Sequence, residues 1–276
     1  MGHILYGTSN WSAKGWVGPF YPARTKPADF LPFYATQFPV VECDATYYRV
    51  PDERLVRGWE TKVPDGFRLC AKFPRSIVHG GSDRHPNPDV LLNHEHVGRD
   101  LHQFLASMAL LGPKCGPLLL QFPYFNRQAF PGPTPFLAKL REFLRLLPNG
   151  FQYVVEVRNR NWIRPPLLDL LRKHGVALAL VEHAFMPHPD ELLAEFDVLT
   201  ARFTYCRLIG DRKVTDAKTS TFDSLVIEQT ERLKRWATLL EQLKERVVET
   251  YLLANNHYAG HGPATIRELV QLMDSA

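Results

Sequence analysis

A chain of 276 residues, 45% hydrophobic and 22% charged, is long enough and apolar enough to bury its own core. This excludes a disordered tail or a small disulfide-stapled scaffold. A formal net charge of +4 admits an anionic ligand without demanding a nucleic acid. No apolar run reaches membrane-spanning length, and the opening MGHILYGTSNW lacks a basic segment followed by an apolar one, so the expected compartment is the cytoplasm, with no membrane partner. Cys43, Cys70 and Cys206 lie in apolar, strand-like runs, and none of the four cysteines forms a C-x-x-C pair. They read as reduced, buried thiols.

In chain order, short apolar runs at 3–7, 39–44, 67–73, 117–122, 152–158, 176–182, 203–209 and 250–255 read as strands. Most are nearly continuous apolar stretches, as parallel strands covered on both faces require. Helical patterns separate them. Asp52 is placed to cap a helix through Leu55, Val56, Trp59 and Val63. Thr134 and Pro135 open another. Pro165 and Pro166 start a third, with Gly175 in the C-terminal cap position. Asp223 precedes a long pattern running from Leu225 to Val247. Eight strand–helix units in succession predict an α/β fold, a (β/α)8 TIM barrel spanning 1–276 as a single domain. One segment departs from the rhythm: residues 76–96, rich in Gly, Pro and His, read as a long loop above the barrel mouth.

Barrel enzymes carry reactive groups at the C-terminal ends of their strands. Polar residues collect there in this chain: Trp11 after strand one; Glu42, Asp44 and Tyr48 at strand two; Lys72 and then His79 at strand three; Gln121 at strand four. The remaining strands supply Glu156, Arg158 and then Trp162; Glu182 and His183; Arg207; and Asn255, Asn256 and His257. Side chains alternate faces along a strand, so Glu42 shares a face with Asp44, and Glu156 with Arg158. Glu42, Lys72, Glu156 and Arg207 read either as an ion-pair network closing the core or as a charged pocket walled by Trp11, Tyr47, Tyr48 and Trp162. In the second reading Glu42 and Glu156 are the acid/base candidates, and Lys72, Arg158 and Arg207 hold an anion. Histidines at 79, 85, 94, 96 and 102 follow no metal-ligand spacing. No cofactor is therefore assigned, and a metal stays an open alternative. The stretch ANNHYAGHGP reads as an anion seat, with Gly260 and Gly262 exposing backbone N–H groups before a helix that starts at Pro263.

Several of these blocks together resemble a known family. GTSNW with GPFYP, the E-x-x-x-T-Y-Y-R-x-P run from Glu42 to Pro51, KFPRSIVH, LLLQFPYF, VVEVRNRNW, YCRLIG and ANNHYAGHGPATIREL resemble the YecE-like barrels, domain of unknown function 72, over nearly the whole chain. The resemblance implies a TIM barrel. Through similarity to xylose-isomerase-like and endonuclease-IV-like barrels it implies phosphate or nucleic-acid ligands, but it supplies no activity. Two positions depart from the family pattern: Ile209 stands where a histidine is usual, and His257 where an aspartate is usual. Three functions are expected to compete. The first is an enzyme acting on, or a protein binding, a small anionic or phosphorylated ligand. The second is a nucleic-acid-binding module using Arg75, Arg84 and Arg99. The third is a protein-interaction scaffold with a large apolar patch.

Overall fold

Alternation of apolar side chains with period two decides which face of each strand enters the barrel. In the computed structural model, which describes residues 2–81, 83 and 85–275, eight parallel strands close into one barrel in sequence order. They are β1 (His3–Thr8), β2 (Val40–Cys43), β3 (Arg68–Lys72), β4 (Cys115–Gln121), β5 (Tyr153–Glu156), β6 (Ala177–His183), β7 (Phe203–Gly210) and β8 (Glu249–Ala254). Val40, Cys70, Leu119, Val154, Ala179, Tyr205, Tyr251 and Leu253 form the inner core. Their neighbours Val41, Leu118, Leu120, Val155, Leu180, Cys206, Leu208 and Leu252 pack outward onto the helices. Two residues beyond an inward position is again inward, so Glu42, Lys72, Gln121, Glu156, His183 and Arg207 all face the lumen. Glu182 faces out.

The expected helix starts are partly met. The Asp52 carboxylate accepts the Leu55 N–H at 2.8 Å and caps Glu53–Glu60. The helix expected from Thr134 begins one residue earlier, at Pro133. Gly175 takes φ +63 just after Pro165–Lys173, where a side chain would be strained. The pattern read from Asp223 becomes helical only at Thr230, in Thr230–Arg246. The residues before it cover β8's turn instead, where the Val226 and Ile227 N–H groups both donate to the Ala259 carbonyl.

The long connection after β3 is also more structured than expected. Arg75–Val78 is helical, and Asn93 caps His94–Ala109 through the Glu95 N–H. Leu91 and Leu92 are buried between these helices, and Leu92 N–H bonds the Ile77 carbonyl. Two apolar anchors in a polar stretch thus pin it down. No helix among the described residues is long and apolar enough to cross a membrane.

Candidate functional site

Arg207 sits at the centre of the lumen, 1% exposed. Its Nη2 and Nε reach the two oxygens of Glu42 at 2.6 and 3.0 Å, and its Nη1 reaches Glu156 Oε2 at 2.6 Å and Gln121 Oε1 at 3.0 Å. Tyr205 donates its hydroxyl to Glu42 at 2.7 Å, and Arg158 Nε reaches Glu156 Oε1 at 2.5 Å. Every oxygen of the two glutamates is therefore engaged, and both residues are 0% exposed. Burial alone would raise the Glu156 pKa, but Arg158, Arg207 and Lys72 outweigh it and hold the group at about 2. Burial likewise opposes ionisation of Glu42, and Arg207 and Lys72 keep it below the usual carboxylate range. A buried carboxylate with so low a pKa is a poor proton acceptor at neutral pH. The acid/base role expected of Glu42 and Glu156 does not suit this geometry. They form a charged platform under the mouth.

Above the platform, Lys72 pairs with Asp44 at 2.5 Å and stands 3.5 Å from Glu42. Burial raises the Asp44 pKa by more than Lys72 offsets. Towards β4, β5 and β6 the mouth opens into a pocket of 610 Å³ lined by Gln121, Tyr124, Arg158, His183 and Phe185. Its polar groups share one property. Gln121 Oε1 accepts from Arg207, a side chain with no acceptor atom, which fixes the amide with its Nε2 left over. Arg158 is anchored through Nε, and its two Nη atoms have no partner among the described residues. The Phe185 N–H donates to His183 Nδ1 at 3.3 Å, so the ring proton sits on Nε2. Burial, reinforced by Arg158, lowers the His183 pKa to about 4, and the ring is neutral near pH 7. Three side chains from three strands thus present hydrogen-bond donors to one pocket. Sequence reasoning placed His183 at a strand end without giving it a role, and passed over the aromatic rim. The signal for the rim was an exposed ring type in each polar strand-end loop, Tyr124 after Gln121 and Phe185 after His183.

The stretch after β8 is built otherwise than expected. Asn255 Oδ1 accepts the His257 N–H at 2.9 Å and lies 2.8 Å from its Nδ1, and His257 Nε2 lies 3.1 Å from Asp216 Oδ1. Both ring nitrogens of His257 are occupied, so it is a brace rather than a ligand binder. Asn256 turns away and accepts the Gly262 N–H at 2.9 Å, while His261 Nδ1 accepts the Ala264 N–H at 3.1 Å. These bonds cap Gly262–Asp274 from within, and Gly260, His261 and Gly262 are all buried. The expected anion seat is therefore already filled by the protein's own side chains.

The remaining candidates scatter. Trp11 packs edge-on against Trp59, with ring centroids 5.9 Å apart. Tyr48 is 79% exposed and lines a separate groove with Arg49 and Arg75. His79 is buried at the start of the post-β3 connection, where its carbonyl accepts from Asn87. Trp162 is buried in a cluster with Phe125, Phe130 and Phe136 and backs a groove that adjoins the pocket. Of the arginines expected to grip nucleic acid, Arg75 donates to the Asp83 carbonyl, Arg99 is exposed, and Arg84 lies outside the described residues. Glu182 supports an outer network: it accepts from Trp236 Nε1 at 2.5 Å and the Tyr258 hydroxyl at 2.9 Å, and pairs with Arg232. No group of three or more His, Cys, Asp or Glu side chains suited to a metal ion occurs among the described residues.

This architecture has relatives. The chain is 30% identical to UPF0759 protein YecE of Escherichia coli K12 over 230 residues, covering 77% of this chain and 76% of that one. A crystal structure of a DUF72 family protein from Thermotoga maritima superposes with a TM-score of 0.68 at 26% identity, covering 98% of this chain and 99% of the other. A psychrophilic glycoside hydrolase family 10 endo-beta-1,4-xylanase shares the fold alone, with a TM-score of 0.51 at 9% identity over 92% and 86% of the two chains. Residues 5–276 match the family described as "Protein of unknown function DUF72", and the chain belongs to that family.

Proposed function

We propose that the protein binds a small ligand carrying an anionic oxygen group at the C-terminal mouth of the barrel, on the side formed by β4, β5 and β6. The observation that carries this reading is Arg158. Its Nε is fixed by the buried Glu156, and both Nη atoms are left facing a pocket whose other fixed polar groups, Gln121 Nε2 and His183 Nε2, are also donors. A pocket furnished with donors and one guanidinium complements an oxyanion, and an anchored guanidinium loses little freedom on binding one. The pocket volume of 610 Å³ lies within the range of small-molecule sites, roughly 300–1,000 Å³. Where chemistry follows binding, His183 is the proton-transfer group to test.

Calorimetric titration with inorganic phosphate and pyrophosphate tests the reading. Wild type is expected to bind, and Arg158→Gln to weaken binding about tenfold or more while its melting curve stays cooperative. Equal phosphate affinity in the two proteins would remove the anion site from Arg158. A cytoplasmic location belongs to the same reading. It is supported by four free cysteines, of which Cys43 and Cys115 have thiols pushed up to about 12 by burial.

A further inference from the structure

Large exposed side chains of apolar character are few on this surface, and two of them share the donor pocket. Tyr124 is 66% exposed and Phe185 is 73% exposed. They stand on different loops, after β4 and after β6, and both line the pocket that holds Gln121, Arg158 and His183. Tyr124 is not needed for the core, because Phe122 and Phe125 are the buried members of its loop, and Phe185 belongs to neither core cluster. The His183 ring lies 5.6 Å from the Phe185 ring, tilted by 51°, so the imidazole that donates into the pocket also steadies this side of its rim. A second groove of 930 Å³ shares Tyr124, Arg158 and Phe185 with the pocket and adds Arg127 and Arg160 against the single carboxylate of Glu191. Positive charge therefore continues outward from Arg158.

From this juxtaposition we infer that the anion bound at the mouth carries a planar ring, and that the ligand is a nucleotide. Its base stacks on Tyr124 and Phe185, its first phosphate rests on the Nη atoms of Arg158, and any further phosphate follows Arg127 and Arg160. The inference rests on the anion reading of the same pocket and adds the ring. Two exposed aromatic faces beside a guanidinium suit a base, because every nucleobase has a π-face and stacking needs no particular pattern of edge groups. The donors Gln121 Nε2 and His183 Nε2 would then meet acceptor atoms of the base or sugar. A free nucleotide and the end of a single strand share this chemistry.

The test titrates inorganic phosphate, adenosine, adenosine monophosphate and a 5′-phosphorylated hexathymidylate into the full chain. Adenosine monophosphate is expected to bind about tenfold or more tightly than phosphate or adenosine. Tyr124→Ala and Phe185→Ala are each expected to weaken the mononucleotide about tenfold and to leave phosphate affinity unchanged. Both side chains are exposed, so melting curves should match wild type. Arg158→Gln should weaken phosphate and mononucleotide alike. If the hexamer binds far more weakly than the mononucleotide, the source is a free nucleotide; if the two bind alike, it is a strand end. Tighter, steeply salt-dependent hexamer binding that falls in Arg127→Ala and Arg160→Ala identifies a longer strand as the source. Equal affinities for phosphate and mononucleotide, or aromatic variants that bind the mononucleotide as wild type does, overturn the ring inference and leave the anion site standing. Phosphate binding that survives Arg158→Gln undoes the anion site itself.

Discussion

Replacing Arg207 by methionine keeps an unbranched stem, ends short of the guanidinium and removes its charge from a fully buried place. Glu42 loses bonds of 2.6 and 3.0 Å, Glu156 loses one of 2.6 Å, and Gln121 loses one of 3.0 Å. Removing one partner of a buried ion pair costs about 3–5 kcal/mol, because the other charge is left without compensation. Two carboxylates are stranded here, but Lys72 stays 3.5 Å from Glu42 and Arg158 stays 2.5 Å from Glu156. We therefore expect a loss of about 5 kcal/mol, the top of that range, against a total stability of roughly 5–15 kcal/mol for a folded domain. Urea unfolding followed by tryptophan fluorescence at pH 7.5 measures it as a lowered midpoint. At pH 5 the gap should narrow, since the stranded carboxylates take up protons more readily than their paired counterparts. The triple variant Glu42→Gln, Glu156→Gln, Arg207→Met has no charge left in the trio and should recover most of the loss. An Arg207→Met midpoint equivalent to within about 1 kcal/mol of wild type would refute the platform, given the expected cost. So would a triple variant no more stable than the single one.

Acid should destabilise the wild type in two stages. His183 and His261 have folded pKa values lowered to about 4 from 6.5, so the stability they contribute is full above pH 6.5 and is lost as pH falls towards 4. Glu156, lowered from 4.5 to about 2, contributes roughly 3 kcal/mol that is lost between pH 4.5 and pH 2. A stability–pH profile checks both, and His261→Asn, which keeps a capping oxygen for the Ala264 N–H, should flatten the first stage. Glu182→Gln should cost about 2–3 kcal/mol and alter the Trp236 emission: Trp236 and Tyr258 donate to one carboxylate oxygen and Arg232 to the other, so an amide must turn its N–H towards a donor on one side and loses the charge that pairs Arg232. Gly260→Ala should destabilise by about 2 kcal/mol or more in the same urea assay: its φ is +111, and a Cβ would stand 2.5 Å from the Ser224 carbonyl oxygen.

Alternation along strands makes the convergence of Glu42, Lys72, Gln121, Glu156 and Arg207 readable in the chain itself. It depends only on counting by two from apolar neighbours. Depth was not readable in the same way. The sequence leaves open whether a lumen carboxylate meets water or a guanidinium, and Glu42 and Glu156 proved fully bonded. Glu182 shows the cost of grouping residues by strand end alone: it is one position off the inward series and belongs to the outer layer with Trp236. The Asp223 pattern misplaced a helix start because Val226 and Ile227 are apolar for a different reason, covering the turn at Ala259. Tyr124 and Phe185 are 61 positions apart and meet only through barrel closure, which local patterns do not encode.

The two departures from the family pattern bear on where a ligand enters. Ile209 puts an aliphatic side chain among the inner core residues at the top of β7, and beside it Gly210 takes φ +73 with no room for a Cβ, which would lie 2.6 Å from Tyr258 Cα. His257 carries no carboxylate itself, yet Asp216 lies 3.1 Å from its Nε2, so another segment brings an acidic group to this place. Thr215 adds a hydroxyl bond of 2.5 Å to the His257 carbonyl. The β7–β8 side of the mouth is thus packed and, apart from the buried His261 Nε2, internally bonded, and its conspicuous polarity serves the scaffold. The β4–β6 side keeps fixed donors without internal partners. On the proposed function a ligand would meet its hydrogen bonds on that side, so substitutions at Arg158, His183 or Gln121 should alter binding, and substitutions at Asn256 or His261 should alter stability first.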